Sequence, residues 1–330
     1  MDNIRNRASI FFAGSALAVI LGFTFFMNPP ANAIPDVVAI RAGEGIREVG
    51  RVLHERRLIR SRAAFSLYAI ISGSAHQLKP GSYRFEGNLG IPATIRQLVE
   101  GPAEAEVLIV EGDTLKDVET KLVARALISP GALTSVSVDE LRGEYPFLGN
   151  AAAFEGFLFP DTYRVTAGAH GITVLRKFLD NFRAKVAPHT KDIEQGTLYR
   201  DLIIASLIER EVPGAEDRRL VSGIMKRRLA IGMPLQVDAT VSYAKCAGAF
   251  QGCPPLTRAD FSLKSVFNTY VVRGLPPAPI ANPGLDSIVA ARSPRISSYL
   301  YYLSDPATGK TVFAETLEQH NENRARYLKR

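Results

Sequence analysis

The feature that most limits how this chain can fold is a strand–turn–helix pattern that occurs twice at a fixed offset. VVAIRAGEGIREVGRVLHERRLI begins at Val37, and EVLIVEGDTLKDVETKLVARALI begins at Glu106. The offset sets Gly43 on Gly112, Ile46 on Leu115, Val49 on Val118, Leu53 on Leu122 and Leu58-Ile59 on Leu127-Ile128. Positions 46, 49, 53 and 115, 118, 122 keep the i, i+3, i+7 spacing of a helix with one buried face. The apolar run and glycine before each helix supply a strand and a turn. Between the copies, LKPGSYRF (Leu78–Phe85) reads as a turn feeding a strand, and IPATIRQLVEG (Ile91–Gly101) as a short helix ended by Gly101-Pro102. The pattern predicts an α+β fold with a small α+β module over residues 35–149. The alternative is two ordinary strand–helix units that are alike by chance.

The rest of the chain, residues 150–330, reads as a mainly helical domain with a few strands. Helical periodicity is present at Ile172–Val186, Leu198–Glu211, Asp217–Ile231, Asp238–Ala244 and Glu315–Arg330. Tyr299–Leu303 reads as a short strand. The helices are joined by Pro- and Gly-rich loops such as RGLPPAPIANPG (Arg273–Gly284), and long irregular loops over a helical core tend to carry function.

At the other end, Ile10–Met27 is an unbroken apolar run without a charge, about the minimum that spans a bilayer as a helix. Arg5 and Arg7 precede it, which predicts a cytoplasmic N-terminus and an exported remainder. Residues 1–34 are therefore read as tail, anchor and linker. Ala31-Asn32-Ala33 offers a cleavage-site alternative, but the apolar run exceeds a signal-peptide core. In an exported chain, the two cysteines, Cys246 and Cys253, can close a small disulfide within CAGAFQGC. The five histidines show no ligand spacing, so neither a metal nor another cofactor is expected. The formal net charge of +7 is a mild basic excess. Without a dense Lys/Arg tract or aromatic–basic interleaving, it does not point to nucleic acid.

The stretch DLIIASLIEREVPGAEDRRLVSGIMKRRLAIGMPLQVDATVSY (Asp201–Tyr243) carries the chemistry. Helical phase puts Glu211 on the face of Ile204, Leu207 and Ile208, with Glu209 turned away. Pro213 disfavours helix at Val212, so the helix is expected to end near Glu211. Apolar neighbours and the negative end of the helix dipole both disfavour the charged carboxylate and raise its pKa. A glutamate protonated near neutral pH can serve as a general acid. The alternative is a surface glutamate at a frayed end, paired with Arg218 or Arg219.

LKPGSYRF, VEGDTL, EGFLFPDTYRV, IIASLIEREV, RRLAIGMPLQVDATVSYA, FNTYVVRGLPPAPIANPG and SYLYYLSDPATGKTVFAETLEQHN, in that order, make the chain resemble the YceG/MltG family of membrane-anchored endolytic murein transglycosylases. The first module is also similar to LysM-like modules, which bind N-acetylglucosamine-containing glycans. The family resemblance implies lytic cleavage of the β-1,4 bond between N-acetylmuramic acid and N-acetylglucosamine, leaving a 1,6-anhydro end. It places the essential glutamate, the second of the I-E-[KR]-E motif, on Glu211. Glu209 is then an ion-pair partner or support. Candidate glycan contacts are Gln236, Asp238, Asn268, Thr269, Tyr270, Glu155, Asp161 and Tyr163. For Asp238 the alternative is a helix N-cap, for Tyr163 a core tyrosine, and for Asp161 a turn cap. The implied partners are peptidoglycan strands, the inner membrane and penicillin-binding synthases. A hydrolytic muramidase and a non-catalytic peptidoglycan-binding scaffold are the competing readings. The chain departs from the family where D-P-T becomes Asp238-Ala239-Thr240 and S-P-Y-N-T-Y becomes Ser265-Val266-Phe267-Asn268-Thr269-Tyr270.

Overall fold

The computed structural model describes residues 22–328 apart from 23, 42, 191–194 and 213. Most of the apolar run Ile10–Met27, with Arg5, Arg7 and Pro213, lies outside the described residues. Among the described residues no helix is long and apolar enough to cross a membrane.

The chain parts into two compact units. One comprises Met1–Ala105, Ala126–Ile128 and Arg164–Ala169, and the other Glu106–Arg125, Ser129–Tyr163 and His170–Arg330. This division differs from a single break near residue 149: the second strand–turn–helix copy contributes most of its length to the larger unit.

The two copies form the predicted elements in matching register. The first gives β1 (Asp36–Ile40) and α1 (Ile46–Glu55); the second gives β3 (Glu104–Ile109) and α4 (Leu115–Ala124). Val49, Leu53, Val118 and Leu122 are fully buried, as the helical spacing requires. The turn glycines Gly43 and Gly112 have φ of +86° and +83°, a region that glycine enters without steric cost. The copies differ at the helix start. Gly45 caps α1 without a side chain, while Thr114 and Asp117 form a reciprocal capping box on α4.

In the smaller unit, α2 (Arg62–Ile71) follows α1, and β2 (Gly81–Phe85) returns antiparallel to β1 with Val38 opposite Tyr83. The helix α3 (Ile91–Glu100) closes a core of Val49, Leu53, Phe65, Tyr83, Phe85, Ile95 and Leu98, against which Met27 packs.

The strand β4 (Asp161–Thr166) pairs with β3, and each of these strands has residues assigned to both units. In the larger unit, α5 (Asp139–Arg142) is a single turn. The long helices are α6 (Gly171–Val186), α7 (Gln195–Glu209) and α8 (Ala215–Ala230). The shorter ones are α9 (Asp238–Lys245), α10 (Leu285–Arg292) and α11 (Leu317–Tyr327). A hairpin of β5 (Tyr301–Ser304) and β6 (Thr311–Ala314) pairs Tyr302 with Phe313. Asp305 closes its turn: its backbone bonds Lys310 and Gly309, and its carboxylate accepts from Ala307 N and Thr308 Oγ1.

The helix α7 is central. Leu202, Ile203, Ile204, Ala205, Leu207 and Ile208 are all buried, so this helix is enclosed on every side rather than along one stripe. α8 and α10 pack against it, and α10 also packs against α8.

Candidate active site

α7 ends at Glu209, two residues earlier than its periodicity suggests, and its last turn tightens. Arg210 N donates to Leu207 O at 3.2 Å and Glu211 N to Ile208 O at 3.0 Å. The buried turn Leu207–Ile208 thus projects two carboxylates to different places. Glu209, with only 4% of its side chain exposed, accepts from Arg218 Nη2 at 2.9 Å and from Gly284 N at 2.9 Å. Arg218 is therefore the partner of Glu209, and Arg219 bonds Ser293 O instead. A Cβ at Gly284 would lie 1.9 Å from Glu111 Oε1, so any larger residue there would have to displace the Glu111 side chain.

Glu211 is half-buried and lines a cavity of about 640 Å³. Gln236, Asp238, Tyr270, Tyr301, Tyr302, Phe261, Arg228, His320 and Arg324 share the lining. Desolvation is the largest influence on the Glu211 carboxyl and pushes it up. A hydrogen bond from the Tyr302 hydroxyl opposes this, the Asp238 charge adds to the rise, and Arg228 and Arg210 draw it back; the result is about 7. Burial and the adjacent Glu211 hold Tyr302 well above the usual phenol range, so its hydroxyl keeps its proton and donates.

Asp238 is the first residue of α9, and the N-cap position is Val237. It accepts a short hydrogen bond from the Tyr270 hydroxyl. Gln236 has φ +52°, a rarely occupied region for a residue with a side chain, and is held there by bonds on both sides. Its N–H donates to Thr269 O at 3.2 Å, and Val237 N donates to Thr269 Oγ1 at 2.9 Å. Thr269 Oγ1 also lies 3.0 Å from Thr240 Oγ1. Asn268 is fully buried, donating to Phe261 O and Leu263 O and accepting from Tyr270 N. Asn268 and Thr269 thus lie beneath the cleft and fix the backbone that presents Gln236 and Tyr270.

Glu155, Asp161 and Tyr163 do not line this cleft. Glu155 is buried and accepts from Leu115 N, Asn282 Nδ2 and Tyr243 Oη. Burial lifts it to about 8, against the pull of the Leu115 and Tyr243 bonds. Tyr163 packs edge-on to Phe178 and donates to Phe159 O, while Asp161 accepts from Thr162 N and Asn181. Their partners are thus within the protein, which leaves Asp238 as the carboxylate sharing the cavity with Glu211. Cys246 and Cys253 are joined by a disulfide, and the loop they close donates Phe250 N and Gln251 N to Asp117.

Sequence reading missed Tyr302, Arg228, His320 and Arg324 in the cleft, and Asn282 behind it. Arg228 had a signal: Val221, Ile224, Met225 and Arg228 follow helical spacing, so an arginine occupies the buried face of α8. Asn282 had none. It is fully buried and ties its own loop to two others, accepting from Gly156 N and Leu158 N and donating to Asp113 O.

Fold and site together define an α+β protein whose cleft presents a carboxyl able to exchange a proton near neutral pH. The chain belongs to the YceG-like family, which its sequence matches over residues 38–326. It is 28% identical over 310 residues to the endolytic murein transglycosylase of Bacillus subtilis, covering 88% of this chain and 84% of that protein. It is 27% identical over 321 residues to the endolytic murein transglycosylase of Streptococcus pneumoniae, covering 88% of this chain and 58% of that longer relative. A crystal structure of a YceG-like protein from Listeria monocytogenes superposes with a TM-score of 0.58 at 28% identity, over 88% of this chain and 100% of that one.

Proposed function

We propose that this protein is an endolytic murein transglycosylase that cuts the β-1,4 bond between N-acetylmuramic acid and N-acetylglucosamine within peptidoglycan strands. The observation that carries the reading is the Glu211 carboxyl, poised at about 7 in a polar and aromatic cleft. Protonated Glu211 gives its proton to the glycosidic oxygen as that bond breaks and positive charge develops at the anomeric carbon. The resulting carboxylate takes the proton from the muramic acid 6-hydroxyl, whose oxygen closes on the anomeric carbon. The proton balance returns Glu211 to its starting state and leaves a 1,6-anhydro end without water. Tyr302 steadies the carboxylate between the two transfers, and Arg228 lowers the cost of its charge. Gln236, Asp238 and Tyr270 contact the sugar, and Asn268 and Thr269 support them; the buried ion pair of Glu209 with Arg218 fixes the end of α7.

One observation favours a second reading. Asp238 shares the cavity with Glu211 and could activate water, giving a hydrolytic muramidase. Mass spectrometry of the products decides between them, because an anhydro end is lighter than a reducing end by one water. Anhydro products from the wild type, absent with Glu211→Gln, are expected. Reducing ends alone would establish the hydrolase, and no cleavage would leave the non-catalytic scaffold.

The smaller unit is LysM-like in this reading: its antiparallel pair β1–β2, flanked by helices, suits a small glycan-binding or spacer module. Ile10–Met27 is a retained single-pass anchor in the bacterial inner membrane, with the N-terminus cytoplasmic, the catalytic part periplasmic and wall synthases as neighbours. N-terminal sequencing tests the anchor: a mature chain beginning at Ile34 would exclude it.

A further inference from the structure

We propose that the basic wall of the cleft, Arg228 with Arg324 and His320, is a subsite for a carboxylate carried by the glycan strand, so that anionic strands are selected over neutral ones. The proposal rests on the functional reading above and assigns a substrate feature to the same site.

Arg228 is 6% exposed, yet it has no carboxylate within ion-pair distance among the described residues. Its Nε donates to Leu300 O at 2.7 Å, and its Nη1 to Leu235 O at 2.7 Å and Pro234 O at 3.4 Å. Nη2 makes none of these bonds, and the residue opens onto the cleft. The Tyr301 ring lies 5.3 Å from the guanidinium carbon, and a charged Glu211 acts on it electrostatically without forming an ion pair. While Glu211 is protonated, this buried guanidinium held by three carbonyls lacks a counter-charge, and an anion from outside supplies one.

The rest of this wall points the same way. Leu317, His320, Arg324 and Leu328 all line the cavity and lie on one face of α11 and its C-terminal residue. Arg324 is exposed and has no ion-pair partner among the described residues. His320 stacks on Tyr301 at 5.2 Å, and its Nδ1 is buried without a hydrogen-bond partner. Burial and the two arginines lower its pKa, so at neutral pH the ring leaves the positive charge to Arg228 and Arg324. The acids on the cleft, Glu211 and Asp238, are engaged by Tyr302 and Tyr270. Two arginines with free donor nitrogens match the planar fork of a carboxylate. A carboxylate bound there also adds negative potential beside Glu211 and favours its protonated, bond-breaking form.

On murein strands the carboxylate has two sources: the lactyl group of muramic acid when no peptide is attached, or the peptide itself. The test uses purified full-length protein and defined strands of both kinds, each with carboxyls free or capped as methylamides. Wild type is expected to cleave free-carboxyl strands with about tenfold higher kcat/KM than capped strands, mostly through KM, as one charge-assisted contact supplies. Arg324→Gln should bring that ratio towards one, and Arg324→Lys should retain part of it. A preference confined to peptide-free strands assigns the lactyl carboxylate; one confined to peptide-bearing strands assigns the peptide. Equal kcat/KM on free and capped strands of both kinds overturns the proposal. So does an Arg324→Gln protein that loses kcat equally on both and keeps the wild-type ratio. Failure of the wild type to cleave any strand removes the functional reading itself, and the proposal with it.

Discussion

Replacing Glu211 with glutamine separates its chemical role from its structural one, because the two predict opposite signs. Glutamine keeps the size and an acceptor for the Tyr302 hydroxyl but removes the proton. A positioned general acid is worth about 10²–10⁴-fold, and here one group serves in both halves of the reaction, so cleavage should fall by at least about 10³-fold. The effect on stability follows from the pKa. Its rise from 4.5 to about 7 on folding corresponds to about 3 kcal/mol between the two protonation states. The folded protein binds the proton more tightly than the unfolded chain. This contribution is therefore fully present below pH 4.5 and is lost as pH climbs towards 7, levelling off above it. Glutamine has no such loss. The variant should match the wild type at pH 4 and exceed it by up to about 3 kcal/mol at pH 8, an upper bound for a half-buried group. Urea unfolding at both pH values, together with strand cleavage followed by mass spectrometry, measures both effects. A variant less stable than wild type at pH 8 would show that the charged carboxylate holds the fold together, and the general-acid argument would fail with it.

Glu209→Gln should behave in the reverse manner. It leaves the buried Arg218 with only the more distant Glu111 carboxylate at 3.9 Å, which costs at most about 3–5 kcal/mol, and the loss appears as a lower urea midpoint while the protein that remains folded still cleaves. Tyr302→Phe removes the bond that draws the Glu211 pKa down, so the fall in kcat/KM on the alkaline side should move to higher pH, a shift read from the pH–rate profile. An unmoved profile would place Tyr302 outside the proton transfers. Replacing both Cys246 and Cys253 by serine should lower stability by about 2.5 kcal/mol at most, from loop-closure entropy for so small a ring, and alkylation of unreduced denatured protein should find no free thiol.

The elements that the sequence revealed are those whose burial is periodic. The helices α1 and α4 show their apolar faces as i, i+3, i+7, and both faces proved to be core. The helix α2 did not show itself, because it is apolar on two sides. Ala64, Phe65 and Ala69 face inward, while Leu67, Ile70 and Ile71 are exposed, which erases the period. The helix α10 follows a Pro-rich loop and buries mostly small residues. Ser287, Ala290 and Ala291 are buried with Ile288 because α10 packs on both α7 and α8, so most of its buried face is short side chains that give little hydrophobic period. Strand β6 was hidden for another reason. A two-stranded hairpin half open to solvent carries only a weak alternation, and its strongest signal was the turn residue Asp305 rather than the strand itself.

The candidate site was legible to the extent that its chemistry follows from one helix end. A run buried on all sides, in a helix that ends four residues before a proline, must deliver whatever polar groups follow it to the boundary of the core. That is why Glu209 and Glu211 lie where they do, and why their side chains diverge: an intervening residue in a tightened turn sends one towards Arg218 and the other towards Tyr302. Motif spacing cannot supply the partners, since Arg228, Tyr302 and His320 come from three elements separated in sequence and joined only by packing. Nor can it separate residues that touch the cleft from those that build it. Asn268, Thr269 and Tyr270 are consecutive, yet only the third reaches the cavity, because the first two spend their side-chain polar groups on Phe261, Leu263, Val237 and Thr240. A polar triplet in a loop is thus as much a statement about backbone satisfaction as about ligand binding. Here the satisfied backbone is what holds Gln236 in its unfavourable φ at the cleft wall.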